Sequence, residues 1–331
     1  MSSTQWLLFF GCLTLLSACG QSSIQANFHA YQKQISDELN ITLQFDDDRP
    51  SLGYPAAEKL KVNLPETNIK LRDFYALKHC PVSLLIAQRN TALGKVQLPS
   101  QRFAYEVKLI QGLQECLQQT SDKEQQQQLR QWITHKQETL PIVWAQMILS
   151  SSEIRRSLSS NTELFTQVKQ NQLQAYEASL SLLVTLYLPK QTDIDDLETA
   201  LNTMRKQPLA AQIWQTQIQL RIWLNELNDS LSLAFSELSC SVSSSSLQIE
   251  ELKLVYQRNF IKKILPTTNR LTSADNTLAP YFQDLLENPV LANEFKVFLR
   301  QRKSDYDLYI DALRRHQLLW QNLFSQCQPS N

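Results

Sequence analysis

Apolar residues in this 331-residue chain recur at intervals of three and four over most of its length, the period of one buried face of an α-helix. Phe28, Tyr31, Ile35 and Leu39 mark a first helix within residues 22–40. Residues 41–68 break the period. Ile41-Thr42-Leu43-Gln44-Phe45 alternates briefly, and Pro50, Pro55 and Pro65 then exclude a regular element, so an extended segment lying across the body is predicted. Leu71, Phe74 and Leu77 mark a short helix, and Pro81 opens another that reaches Ala92-Leu93 and stops at Gly94. Pro99-Ser100 starts the next, with Phe103, Val107, Ile110, Leu113 and Leu117 on one stripe. Leu129, Trp132, Ile133, Leu140, Val143, Trp144 and Met147 continue the pattern, with a break or kink expected at Pro141.

Ser160 and Glu163 have the spacing of a capping box. They predict a long helix through Phe165, Val168, Tyr176, Leu180, Leu183 and Tyr187, closed by Pro189. Thr192 and Asp195 give the same signal before Leu197, Leu201 and Met204, and that helix ends ahead of Pro208. Residues 209–235 follow, carrying Ile213, Leu220, Leu224, Leu227 and Leu231. The serine-rich stretch 239–246 reads as a loop and a candidate lobe boundary. Helices are then expected over 249–264 and near 281–286. A closing helix takes Asn288-Pro289 as its start signal and runs to about Cys327, roughly 55 Å at 1.5 Å per residue. No fixed self-similarity runs through the chain, so a regular repeat array is not expected. The fold class predicted is all-α, a multi-helix antiparallel bundle or irregular helical array stapled by disulfides.

Composition narrows the function more by exclusion than by assignment. Lys+Arg and Asp+Glu number 32 each. No basic footprint for phosphates is visible, and nucleic acid is not an expected partner. With only 5 glycines, glycine-built phosphate loops and tight hairpins are nearly excluded. No Walker loop, G-x-S-x-G elbow or S-x-x-K pattern is present, so no catalytic residue and no cofactor is nominated. His29, His135 and His316 are scattered singly, without a metal-site partner at i,i+4, and read as ordinary surface or boundary residues; no metal is expected. Asp46-Asp47-Asp48 lacks the spaced oxygens and turn glycine of a calcium loop and reads as a solvated turn. The 6 tryptophans sit at core spacing and read as packing.

Trp6 to Leu16 is an apolar run too short to span a bilayer and of the length of a signal-peptide core. It ends in Leu16-Ser17-Ala18-Cys19, which resembles the lipobox of bacterial lipoproteins, although residues 1–5 contain no Lys or Arg. The resemblance implies removal of residues 1–18, a diacylglyceryl group on the Cys19 sulfur and acylation of the new amine, leaving residues 19–331 as one mature all-α domain. Two or more acyl chains anchor stably where one does not. Gly20 in place of an Asp implies the periplasmic face of the outer membrane, so the membrane is one expected partner.

Beyond Cys19 stand Cys80, Cys116, Cys240 and Cys327. An even count in an oxidising compartment argues for two disulfides. If the helices from Pro81 and Ser100 form an antiparallel hairpin turning near Gln97, Cys80 lies 17 residues before the turn and Cys116 lies 19 after it. The two come nearly level, so Cys80–Cys116 is expected, and Cys240–Cys327 by remainder. The competing reading is a reactive thiolate at His79-Cys80, favoured by a helix N-terminus.

The most distinctive internal block contains Leu71-Arg72-Asp73-Phe74, Leu77, Cys80-Pro81-Val82, Arg89-Asn90-Thr91, Leu93-Gly94, Tyr105-Glu106 and Cys116. With the lipobox ahead of it, the chain resembles a proteobacterial lipoprotein family known as domain of unknown function 3080. That resemblance implies a helical lipoprotein and no particular activity. Arg72, Asp73, Arg89, Asn90 and Glu106 are unusual polar residues beside apolar stripes. They read as a network bracing the hairpin or as the lining of a polar groove. The expectation is a non-enzymatic interaction or scaffold protein of the cell envelope with an unidentified envelope protein as partner. The alternative is a periplasmic ligand-binding protein or a hydrolase acting on cell-wall or lipid material.

Overall fold

The computed structural model describes residues 23–327 apart from 45, 50, 65–76, 92–93, 95, 161–162, 166, 188–193 and 239–242. Among the described residues the regular elements are helices, with no strand. In chain order they are α1 (Ile24–Leu39), a 3-10 turn (Ala57–Leu60), α2 (Val82–Arg89), α3 (Pro99–Gln119), α4 (Lys123–Ser150), α5 (Ser152–Ser159), α6 (Gln170–Thr185) and α7 (Leu197–Lys206). Then come α8 (Leu209–Glu237), α9 (Ser243–Val255), a π-helical segment (Tyr256–Ile264), α10 (Leu265–Glu287) and α11 (Asn293–Gln326). No helix among the described residues is long and apolar enough to cross a membrane.

Local chemistry sets several of these boundaries. The Ser23 side chain accepts from the Ala26 N–H at 3.1 Å, and Asn40 takes a left-handed φ of 53° as the cap that ends α1. Pro99 opens α3, where the Gln101 side chain accepts from the Leu98 N–H at 3.2 Å. Asp122 caps α4 through Gln125 N–H at 2.8 Å; caps of this kind contribute about 1 kcal/mol each.

Two hydrophobic clusters form. The large one joins α1, α3 to α11 and the π segment, with Trp144, Trp223 and Trp320 all buried in it. The longest helices, α8 and α11, pack on each other in its interior. The small cluster gathers Leu77, Cys80, Val82, Ile86, Leu109, Leu113, Cys116, Leu129 and Ile133 where α2 lies on the α3–α4 hairpin. A disulfide joins Cys80 to Cys116 there. Gly112 permits the close approach of α2, since a Cβ on it would come 2.9 Å from a methyl carbon of Val82.

The extended segment after α1 is held by side-chain donors to its carbonyls, not by a strand partner. Gln32 reaches Leu43 O at 2.9 Å. Gln219 and Trp223 of α8 reach Asp46 O at 2.9 and 3.1 Å, and Arg302 of α11 reaches Leu52 O at 2.9 Å. The segment therefore crosses the body as the prolines suggest.

Several expectations are corrected. Ser160 does not open a helix; its N–H bonds to Arg156 O and closes α5, and α6 begins only at Gln170. In between, buried Phe165 is tied by its N–H to Thr216 Oγ1 at 2.7 Å, so tertiary anchoring overrides the capping pattern. α4 runs unbroken through Pro141, and α2 ends at Arg89. The separate helices expected over 249–264 and near 281–286 belong to one helical path over residues 243–287, with a π segment inside it and Pro280 within its last part. The closing helix starts at Asn293, not at Asn288.

Candidate functional site

Arg72 and Asp73 lie outside the described residues, as do Cys19 and Cys240. The other polar residues of the distinctive block do not share one site. Glu106 is buried between α3 and α4. Its carboxylate lies 2.5 Å from Arg102 Nη2 on the same helix and 2.9 Å from Lys136 Nζ on α4. Arg89 donates from Nη1 to the Gly94 carbonyl, and its guanidinium lies 5.9 Å from the Tyr105 ring centre, with Arg102 at 5.8 Å. Burial, and then the Glu106 charge, pushes the Tyr105 hydroxyl up to about 12. Gly94 has no room for a side chain, because a Cβ would fall 2.2 Å from the Gln88 carbonyl oxygen.

A groove of about 520 Å³ runs along this end of the hairpin, with Gln88, Arg89, Gln101, Tyr105 and Lys108 in its wall. Asn90 is exposed and does not line it, and Glu106 faces the helix interface instead. Of the five residues, Arg89 alone is found on the groove wall among those described; Glu106 braces α3 against α4 and not the expected pair of α2 and α3.

Cys80 is disulfide-bonded and buried, which overturns the thiolate reading. His79, Cys80 and Cys116 bring potential metal ligands within 4.8 Å of one another, but both sulfurs are committed to the disulfide. Cys327 is also disulfide-bonded, and Cys240 lies outside the described residues.

The second concavity was not anticipated. α10 and α11 diverge over Trp214 of α8 and leave a cleft of about 400 Å³. Its floor carries Trp214, Phe282, Leu286 and Leu299, and polar groups stand along its rim, including Asp275, Asn276, Lys303 and Tyr306. An apolar hollow with a few convergent polar groups is the usual form of a ligand site. Arg302, on its wall, is engaged by Asp305 at 2.9 Å and by the Leu52 carbonyl. Burial pushes the Asp275 carboxyl up to about 6, and the nearby Gln217 amide acts against that shift. Tyr306 donates to Asn276 Oδ1 at 3.3 Å.

His316 corrects a third expectation. It is fully buried, at the junction of α1, α8 and α11. Its Nδ1 lies 2.7 Å from Asn228 Oδ1, and Asn228 uses its amide N–H to reach Ala312 O at 3.0 Å. The Asn oxygen is therefore the acceptor and Nδ1 carries the proton. Nε2 then accepts from Tyr31 O–H at 2.9 Å and Trp320 Nε1–H at 3.1 Å. Both ring nitrogens are used inside the protein and burial drives the imidazole down to about 3, so this neutral histidine helps pin α1 to the body.

The family model described as a protein of unknown function (DUF3080) matches residues 28–330. The chain belongs to this family. The match begins after Leu16–Cys19, so it concerns the helical body and not the N-terminal motif. No curated protein and no solved structure matches the chain. Within the family's span lie the α3–α4 hairpin, the α10–α11 cleft and the His316 cluster. The pairing of α2 with α3 left a readable sign, two cysteines placed evenly about the turn between them. The cluster left none, because it is assembled from residues far apart in the sequence, and the cleft left none, because it depends on how two successive helices sit over Trp214.

Proposed function

We propose that this protein is a lipid-anchored protein of the bacterial envelope that acts by binding and not by catalysis. The carrying observation is Leu16-Ser17-Ala18-Cys19 at the end of a short apolar run, read as a lipobox with Cys19 as the acylated residue and the periplasmic face of the outer membrane as the destination. The Cys80–Cys116 disulfide supports an oxidising compartment. A second bond, Cys240–Cys327, belongs to the same reading.

A scaffold role with a protein partner is supported by the α2–α3 end of the hairpin. Glu106 is closed into an ion-paired interface, and Leu84, Val96 and Leu98 are 66%, 82% and 58% exposed nearby in sequence. We take the three as parts of one apolar patch, and contiguous apolar patches mark interaction sites. The test is photo-crosslinking in cells from Leu84 and Val96, with Leu318 on α11 as a control. A discrete adduct from the first two positions and none from the third is expected; identical adduct patterns from all three contradict the reading. The second reading, a ligand-binding protein, is favoured by the α10–α11 cleft.

A further inference from the structure

The cleft between α10 and α11 holds a carboxyl group, that of Asp275, which pairs with no cation among the described residues. Asp275 is partly buried at its wall, and its upward shift comes from burial and is opposed only by the nearby Gln217 amide. The nearby cations are directed elsewhere. Arg302 serves Asp305 and the Leu52 carbonyl, and Lys303 Nζ reaches Gln283 Oε1 at 3.5 Å. Carboxylates withdrawn from water are ordinarily paired, because desolvation without a partner is costly.

Two further features point the same way. Pro280 lies inside α10 on the cleft wall. It has no N–H to give to the carbonyl of Asn276, four residues earlier, so the cleft-lining stretch contains a backbone acceptor without its helical donor. The floor beside these acceptors is aromatic and aliphatic, with Trp214 and Phe282 in contact at 4.9 Å between ring centres. Cations are attracted to aromatic faces.

We propose that this cleft binds a small organic cation, a single primary or quaternary ammonium on an apolar body. The ammonium meets Asp275 and the Asn276 carbonyl while the body covers Phe282 and Leu286. The site is independent of the lipid anchor. An arriving ammonium stabilises the ionised Asp275, so binding below about pH 6 releases a proton. Gln217 of α8 and Tyr306 and Tyr309 of α11 face or influence Asp275, and Arg302, Lys303 and Asp307 complete the charged wall. Burial raises both tyrosines, which leaves them neutral between pH 5 and 8. The ammonium has two sources, a free amine or the ethanolamine headgroup of a phospholipid.

The experiment is calorimetric titration of the full mature chain with 3-phenylpropylamine, beside 3-phenylpropanol and 3-phenylpropionate, which keep the apolar body and change the charge. The amine is expected to bind about tenfold more tightly than either analogue, and about tenfold more tightly at pH 8 than at pH 5, as a carboxyl titrating near 6 requires. Asp275→Asn is expected to remove this preference without lowering Tm, since it deletes a desolvated charge. A parallel arm measures sedimentation of the Cys19→Ala chain with phosphatidylethanolamine or phosphatidylglycerol vesicles. Preference for the former that disappears in Asp275→Asn also supports the proposal and makes the headgroup the source. Equal binding of all three phenylpropyl compounds overturns it, as does an unchanged amine affinity in Asp275→Asn, or failure of both the amine and the ethanolamine vesicles to bind.

Discussion

Glu106 is held by one cation from its own helix and one from the facing helix, and each contact closes a different gap. Arg102 at i,i+4 is partly exposed, whereas Lys136 is buried with the carboxylate. Removing Lys136 leaves a buried charge with a single partner, and loss of a buried partner costs on the order of 3 kcal/mol. Lys136→Met is therefore expected to lower stability by about 2–3 kcal/mol in urea titration. The double variant Glu106→Leu with Lys136→Met should recover most of that loss, because no charge is then stranded. Gly112 makes a different demand at the same hairpin. Val82 is β-branched and already packed, so Gly112→Ala has no flexible neighbour to displace. It is expected to cost about 1–3 kcal/mol, read from the urea midpoint. The polar character of Glu106 was legible in the sequence as an anomaly on an apolar stripe. Its partner was not, because Lys136 belongs to another helix whose rotation the pattern does not specify.

At the scale of elements, the 3.6-residue period located most helices, and the misplaced boundaries share a physical origin. Pro141 and Pro280 sit inside helices because tertiary packing outweighs the lost backbone bond in each. Ser160 and Glu163 match a capping pattern, yet the following chain is diverted by the anchoring of Phe165 to Thr216. The docking of α1 by its buried apolar face is tied down by His316 through Tyr31, and this has a pH signature. The imidazole is neutral in the folded protein down to about pH 3 and takes a proton near the ordinary histidine value of 6.5 when unfolded. Above 6.5 neither state is protonated and the residue adds no pH dependence. As pH falls from 6.5 towards 3, the unfolded state gains the proton, so stability falls at up to about 1.4 kcal/mol per pH unit. His316→Gln cannot titrate. Its stability curve is expected to be flatter than that of the native chain between pH 6 and 4, by chemical denaturation at each pH. Parallel curves for the two would show that His316 is not buried neutral.

For the whole molecule, the all-α class followed from helical periodicity, few glycines and frequent Leu, Gln and Ala. The packing order did not, because α8 and α11 meet across a long stretch of chain that no local pattern connects. The disulfide is a whole-chain property as well as a local one, because it restricts the unfolded ensemble. For a sequence separation of 36 residues, a chain-entropy treatment gives about 4 kcal/mol. Reduction, or the double variant Cys80→Ser with Cys116→Ser, is expected to lower Tm with the small core of α2, α3 and α4 loosening first. Amide exchange resolved by helix checks this. Uniform loss of protection across α8 and α11 would instead mean that the small core is not a separable unit.

The claim on which the functional account turns is that Cys19 carries lipid and holds a binding protein at a membrane. Intact-mass and N-terminal peptide mass spectrometry of the protein from cells tests it most directly. The account predicts a mature chain beginning at Cys19, with a diacylglyceryl thioether and an acylated amine, found in the membrane fraction and released from it in Cys19→Ala. A chain that retains residues 1–18 in full, or one that begins near Cys19 with an unmodified thiol, would contradict it.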